Sequence, residues 1–340
     1  MSREGAAGAI FCIVKMQFRP DLGPTPLDTD TFLTVLYVEI DDFFQREGPP
    51  ETRRRGRKPA LRRSEVLCLS LFGQWGAFSS QRAFWRYATR HLRAAFPGLG
   101  ALSQFNRAQR AYRPDLERVA LALGARGGQR PALYEAVDLT AAPTRNLKRR
   151  GVGWLYGQAD IGWSNRLGWF EGFKVLVSCT PEGRITGFGF GPASAKDQLY
   201  AEHFLAARHE PALRAQWPSV GPVGSDFYVL DKGFAGQARH QAWRQAWGAD
   251  VLCAPPAYQG RRPWPKAWRR QVAALRQVVE TVWAKLQQPW GLAHERPHAL
   301  QGFGARLAAR VGVHNFCFWL NRRLGRPGLA MVDLVDCWAP

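Results

Sequence analysis

The chain has 340 residues, 46% of them hydrophobic, and a formal charge of +20 from 47 Lys and Arg against 27 Asp and Glu. That length buries a large core, and that field attracts polyanions, so nucleic acid leads the candidate partners. No apolar run reaches the roughly 18 residues of a membrane-spanning helix, and a GC-rich coding sequence explains an excess of Arg over Lys but not a shortage of acids.

The six cysteines include no CxxC pair, and the seven histidines form no HExxH or CxxC…HxxxH pattern. These counts predict free thiols in a reducing compartment and no zinc site. The apolar stretch "AIFCIV" is too short for a signal-peptide core, so a cytoplasmic protein is expected. Residues 1–29 read as poorly structured.

From 30 to 47 apolar residues recur at helical spacing, with Asp30 as a candidate cap. "RRRGRKPALRR", 53–63, then carries seven basic residues, Arg53, Arg54, Arg55, Arg57, Lys58, Arg62 and Arg63, with Gly56 and Pro59 among them. It reads as a loop that no core accepts: either a solvated linker or an arm for phosphates and the minor groove. Helices are predicted over 64–75 with Ser64 as cap, over 79–92, and over 103–125 as one or two segments starting at Ser103. Residues 30–125 thus read as a helical, DNA-binding domain.

After 126–131 the period changes. "ALYEAVDLT", 132–140, reads as a strand ending at Asp138, and 169–180 with 185–194 as a hairpin. A helix follows over 197–209 with Asp197 as cap. "FYVLDKG" is a strand ending at Asp231, then come a helix, the short strand "DVLC", and long helices over 266–288 and 300–324. The stretch between the first strand and the hairpin reads as a Gly-rich loop holding Trp154, Trp163 and Trp169. These are core residues or stacking surfaces for an unpaired base. Asp160 in that loop and Asp226 before its strand lack a strand-end setting.

Strand-end acids gather at one edge of a mostly parallel sheet, where carboxylate oxygens suit Mg²⁺. Asp138 and Asp231 fit such a site, although each alone reads equally as a turn acid. Glu280 is the only acid between Asp250 and Glu295. It stands at the margin of the apolar stripe of the 266–288 helix, four residues after Arg276. It is either a metal ligand held by Arg276 or half of a surface salt bridge. Two metals about 4 Å apart would activate water and stabilise a leaving phosphodiester oxygen.

With "VDLT", "GFKVLVSCTPEGRITGFGFGPASAKD", "VLDKGFAG" and "RQVVETVWAKLQQPW" in place, residues 30–325 resemble the DDE transposases of bacterial insertion sequences, in particular the families numbered 4 and 982 and their relatives. The resemblance implies an α/β fold, an RNase H-like mixed sheet flanked by helices over 131–325, preceded by the all-α domain and followed by a tail over 326–340. It implies Asp138, Asp231 and Glu280 as catalytic ligands of two Mg²⁺ ions, or of Mn²⁺. It also implies double-stranded DNA as substrate, both transposon ends and target, bound by a homodimer associated with the nucleoid.

The implied reaction is hydrolysis at the ends followed by transfer of the 3′-OH into target DNA. Lys174, Lys232 and Arg276 join the basic arm as candidate phosphate contacts; the two lysines read equally as solvated strand or turn residues. The sequence departs from its relatives at Ala273, where they carry Tyr, at Gln287, where they carry Lys, and at Lys196, where His is common. Two alternatives stay open: an RNase H-like nuclease without strand transfer, and a DNA-binding relative without catalysis.

Overall fold

The computed structural model describes residues 26–51, 58–75, 78–126, 131–145, 155, 157–255, 264–287, 290–292, 296, 298–331 and 333–336. Arg53, Arg54, Arg55, Arg57 and Trp154 lie outside them.

Among the described residues five helices come first: α1 (Thr29–Arg46), α2 (Arg63–Phe72), α3 (Gln81–His91), α4 (Leu102–Ala111) and α5 (Arg113–Ala125). Their caps fall one or two residues from the expected places. Asp28, not Asp30, caps α1, accepting from the Thr31 N–H at 2.8 Å. Ser64 is inside α2 and donates instead to Asp41 Oδ1 at 2.8 Å. Ala101 precedes α4 in place of Ser103, because the Gln104 side chain turns back to accept from its N–H. Such reciprocal closure satisfies an orphan donor as a serine would.

The basic segment does not stay wholly in solvent. Leu61 is buried, and Arg63 is 9% exposed. Its guanidinium lies 3.7 Å from the Phe44 ring centroid and donates to Pro49 O at 2.8 Å, with Asp115 3.9 Å away.

The sheet is built from β1 (Ala132–Arg145), β2 (Asp160–Ser164), β3 (Gly168–Cys179), β4 (Ile185–Pro192), β5 (Ser225–Leu230) and β6 (Val251–Cys253). Strand β3 pairs antiparallel with β1 along one edge and with β2 and β4 along the other. Across β1 the sense changes, since β5 is parallel to β1 and β6 to β5. The hairpin core, β4-β3-β1, followed by the parallel pair β5-β6, is the RNase H-like order that the sequence implied.

Helices α6 (Asp197–His209), α7 (Pro211–Gln216) and α8 (Gln237–Trp247) precede and follow β5, while α9 (Lys266–Gln287) and α10 (Leu300–Arg323) end the domain. Alternation along β1 explains the two faces. Ala136 and Ala142 join a large core with the N-terminal helices, α9 and α10, whereas Val137 packs in a second cluster with α6 and α8.

From Gly302 to Asn321 α10 is almost wholly buried, which explains its lack of an amphipathic pattern. Its polar groups have partners inside: Asn315 Nδ2 donates to Ala120 O at 2.8 Å and Ile185 O at 2.9 Å. Burial pushes the His314 imidazole down to about 4, and a ring nitrogen lies 2.8 Å from Gly183 O. The Phe32 and Phe316 rings meet edge to face at 5.1 Å, so the helical region and the sheet share one core. The four described cysteines, Cys68, Cys179, Cys253 and Cys317, are buried and none is in a disulfide. No helix among the described residues is long and apolar enough to cross a membrane.

Candidate active site

Two fixtures set the position of Asp138. On one face of β1, Glu135 pairs with Arg208 of α6 at 3.0 Å, both side chains 1% exposed. Arg208 also donates to Pro222 O at 2.8 Å, which fills a second donor of the buried cation. On the opposite face Tyr134, Asp138 and Thr140 all meet α9. Tyr134 Oη donates to Leu275 O at 3.2 Å and Gln287 Nε2 to Thr140 Oγ1 at 2.7 Å, so α9 is held at both ends of the stretch carrying Glu280.

Asp138 does not end its strand, a correction to the sequence reading. Strand β1 runs seven residues further, to Arg145, because β3 is long enough to keep pairing with it. Pro143 is tolerated there, on the stretch past the end of β5 and next to a register shift in the ladder. What ends at this level is β5. Its last pair with β1 is Leu230 with Val137, so the next residues, Asp231 and Asp138, emerge side by side. Asp231 leads into a 3-10 turn, Lys232–Phe234, and Cys253 Sγ lies 3.0 Å from its carbonyl oxygen.

The guanidinium of Arg276 stands between the two carboxylates: Nη1 is 3.0 Å from Asp231 Oδ1 and Nη2 is 3.4 Å from Asp138 Oδ1. This corrects the expected pairing of Arg276, since it binds the two aspartates rather than Glu280 and is only 16% exposed. Burial raises the Asp138 carboxyl to about 6; Arg276 and the Leu139 N–H oppose the rise, while the negative charges of Asp231 and Glu280 add to it. The field of both acids thus reaches Asp138. Glu280 itself is exposed. Among the described residues no three His, Cys, Asp or Glu side chains form a ready-made metal cluster.

The remaining predicted cations divide. Lys58, Arg62 and Lys232 are exposed. Lys174 is 16% exposed, and its ammonium is taken up by Asp197 Oδ1 at 2.8 Å and Ala195 O at 2.9 Å. Arg63 is enclosed as described above. Both are therefore removed from the outward basic surface.

Sequence reasoning passed over Asp197 and Gln198. Asp197 is the first residue of α6 rather than its cap, and Gln198 Nε2 donates to Gly233 O at 2.7 Å. A Cβ at Gly233 would come 2.8 Å from Asp197 Oδ2, so only glycine lets the turn after Asp231 lie this close to α6. The signal was present in "AKDQ", which ends the hairpin motif.

Residues read as a Gly-rich loop form strand β2 instead. Trp163 pairs with Trp169, and they are 52% and 67% exposed. The ribbon is pinned from behind by the contact of Phe170 with Ala141 and Ala193, and by a Ser194 hydroxyl donating to Asp160. With Lys174, Lys196, Gln198 and Gly233, both tryptophans line an open groove of about 420 Å³.

Comparison with known proteins follows this geometry. None of the curated proteins compared with the chain matches it. Among solved structures it is similar to a pre-cleavage Mos1 transpososome at 12% identity, covering 85% of each chain, with a TM-score of 0.18, a likeness too slight to carry an argument. A family model described as "Transposase DDE domain" matches residues 135–316, from Glu135 beside the first aspartate to Phe316 in α10. That span is more than half of the 340 residues, and it includes both aspartates, Arg276 and Glu280: the chain belongs to the DDE transposase family.

Proposed function

We propose that the protein is a DNA transposase that hydrolyses a phosphodiester at the ends of its element and transfers the freed 3′-OH into target DNA. Asp138, Asp231 and Glu280 carry the reaction. The observation behind this reading is the side-by-side emergence of Asp138 and Asp231 with a single cation between them, inside the matched transposase domain.

The donor set fits a hard divalent metal. The side chains are carboxylates, and one pair already accepts a cation, the Arg276 guanidinium, as it would accept Mg²⁺ or Mn²⁺. Bound there, one or two such ions would polarise the scissile phosphate and lower the pKa of the attacking water or hydroxyl. The chain's own residues do the positioning. Asp138 is fixed by β1, Asp231 by the close turn over Asp197, and Glu280 by the two anchors of α9. Arg276 competes with metal for the Asp138 and Asp231 oxygens. Once displaced it remains next to them as a cation facing the phosphate. Gln287, neutral and bonded to Thr140, supports α9 in place of the relatives' lysine.

The exposed Trp163 and Trp169 offer stacking faces to a base unpaired near the reacting bond. Double-stranded DNA is the partner, and two copies bridging two ends are the expected assembly.

Incubating the protein with Mg²⁺, labelled duplex from the DNA flanking its gene and a supercoiled target tests the proposal. Nicked ends joined to target are expected, with loss of both products in Asp231→Asn and Glu280→Gln. Nicking that survives in Asp231→Asn sinks it. Nicking without joining favours the nuclease reading.

A further inference from the structure

The first two turns of α9 are exposed, although Trp264 just before the helix packs against the core. From Lys266 to Gln271 every residue is exposed, and Val272 is the first to be buried. Six residues alone would not hold a helix in water, but these continue one that is anchored from Leu275 to Gln287. They include Lys266, Arg269 and Arg270, and no acid occurs on the helix before Glu280. Among the described residues none of the three cations has a side-chain hydrogen bond or ion pair, unlike Lys174, Arg208 and Arg276.

Their direction is set by the helix. At about 100° per residue, Lys266, Arg269, Ala273 and Gln277 lie within about 60° of Glu280 around the axis. Ala273 stands exposed in the middle of this stripe and Gln277 is neutral, so no acid separates the cations from Glu280. Arg269 precedes Glu280 by 280 − 269 = 11 residues, about 17 Å of helix, and Lys266 by 14 residues, about 21 Å. Along a duplex at about 3.4 Å per base pair these are about five and six base pairs.

We infer that the first two turns of α9 are a duplex-DNA arm, in which Lys266, Arg269 and Arg270 pair with backbone phosphates about four to six base pairs from the phosphodiester at Glu280. Charge selects the partner: three unpaired cations in a chain of +20 suit a phosphate backbone. The alignment of Lys266 and Arg269 with Glu280 selects DNA over an anionic membrane, which would leave that alignment without purpose. The inference rests on the reading of Asp138, Asp231 and Glu280 as a DNA-processing site.

Binding measured without chemistry tests the arm separately from that reading. The full chain is titrated against a fluorescein-labelled, mixed-sequence duplex in EDTA over a range of salt. The variant is Lys266→Gln/Arg269→Gln/Arg270→Gln, whose exposed positions leave the fold intact by circular dichroism. Each phosphate pairing contributes about 0.9 to the slope of log affinity against log salt, so a slope shallower by about two to three is expected. The charge-preserving Lys266→Arg/Arg269→Lys/Arg270→Lys protein should keep the wild-type slope. An unchanged slope in the glutamine variant overturns the arm. So does lost binding to phosphatidylserine vesicles with DNA binding retained. Cleavage persisting in Asp231→Asn would instead remove the site reading and leave the salt result standing.

Discussion

Replacing Asp138 by Asn should stabilise the metal-free protein increasingly from about pH 4, with most of the gain present by about pH 6. The Asp138 side chain is 17% exposed, and burial lifts its carboxyl from 3.8 to about 6 even with Arg276 beside it. The folded state therefore holds this proton more tightly than the unfolded chain. A raised pKa of this kind contributes stability below about pH 4 that is lost as pH climbs through about 6. The difference is about two pH units, and at about 1.36 kcal/mol each the fold loses about 3 kcal/mol once Asp138 is ionised. Asparagine copies the neutral carboxyl in shape and never ionises. Urea denaturation in EDTA at pH 4, 5, 6, 7 and 8 should show wild type and variant equal at pH 4, and the variant ahead by up to about 3 kcal/mol at pH 8. Arg276→Gln provides the cross-check. Without the guanidinium, Asp138 faces Asp231 and Glu280 unopposed, so the loss still begins near about pH 4 but continues to higher pH and grows larger. A difference between wild type and Asn that stays constant from pH 4 to 8 would refute the reasoning.

Other expectations follow from packing. Glu135→Gln leaves Arg208 charged and buried beside Glu135's former place, and should cost about 3–5 kcal/mol in urea denaturation. Adding Arg208→Met should return most of that loss. Trp169→Ala should weaken single-stranded DNA binding by about five- to a hundredfold, the equivalent of about 1–3 kcal/mol for one stacked base, with Trp169→Phe close to wild type by fluorescence anisotropy. Gly162→Ala puts a Cβ onto the Ala193 carbonyl, so the ribbon must lift, which faster proteolysis between Ser164 and Gly168 would report.

Most elements of the fold were legible because their patterns are local. Helix α6 spans 197–209 as expected, and β5 stops at Leu230, directly before Asp231. The end of β1 was not legible. Thr140 to Thr144, with Pro143 among them, carry turn chemistry, and only the length of β3 keeps them extended. Strand β2 was hidden for the same reason, since five residues with a glycine at their centre form a strand only when β3 supplies a partner. The helical period and the R-x-x-x-E spacing suggested Arg276 with Glu280. The long guanidinium instead reaches across to the sheet, a choice made by tertiary distance that no spacing within one helix encodes. Arg63 and Lys174 were counted as surface charge because sequence gives no sign of the Phe44 ring or the Asp197 carboxylate that receives them.

The charges of the site and of the chain oppose each other. Three carboxylates and one guanidinium leave the site near −2 once Asp138 is ionised, within a protein of +20. On the proposed reading, a duplex drawn in by Lys58, Lys232 and the first turns of α9 would meet repulsion at the acids that face its scissile phosphate. A divalent cation removes that repulsion, so metal and DNA should bind with positive coupling: Ca²⁺, supplied in place of Mg²⁺ to hold off chemistry, tightens DNA binding by the factor by which DNA tightens Ca²⁺ binding. Neutralising the site by mutation should replace the metal. The Asp138→Asn/Asp231→Asn protein is expected to bind duplex as tightly in EDTA as the wild type does with Ca²⁺, and to gain little when Ca²⁺ is added. Equal DNA affinity of wild type and double variant in EDTA would show that the acids do not face the phosphate at all.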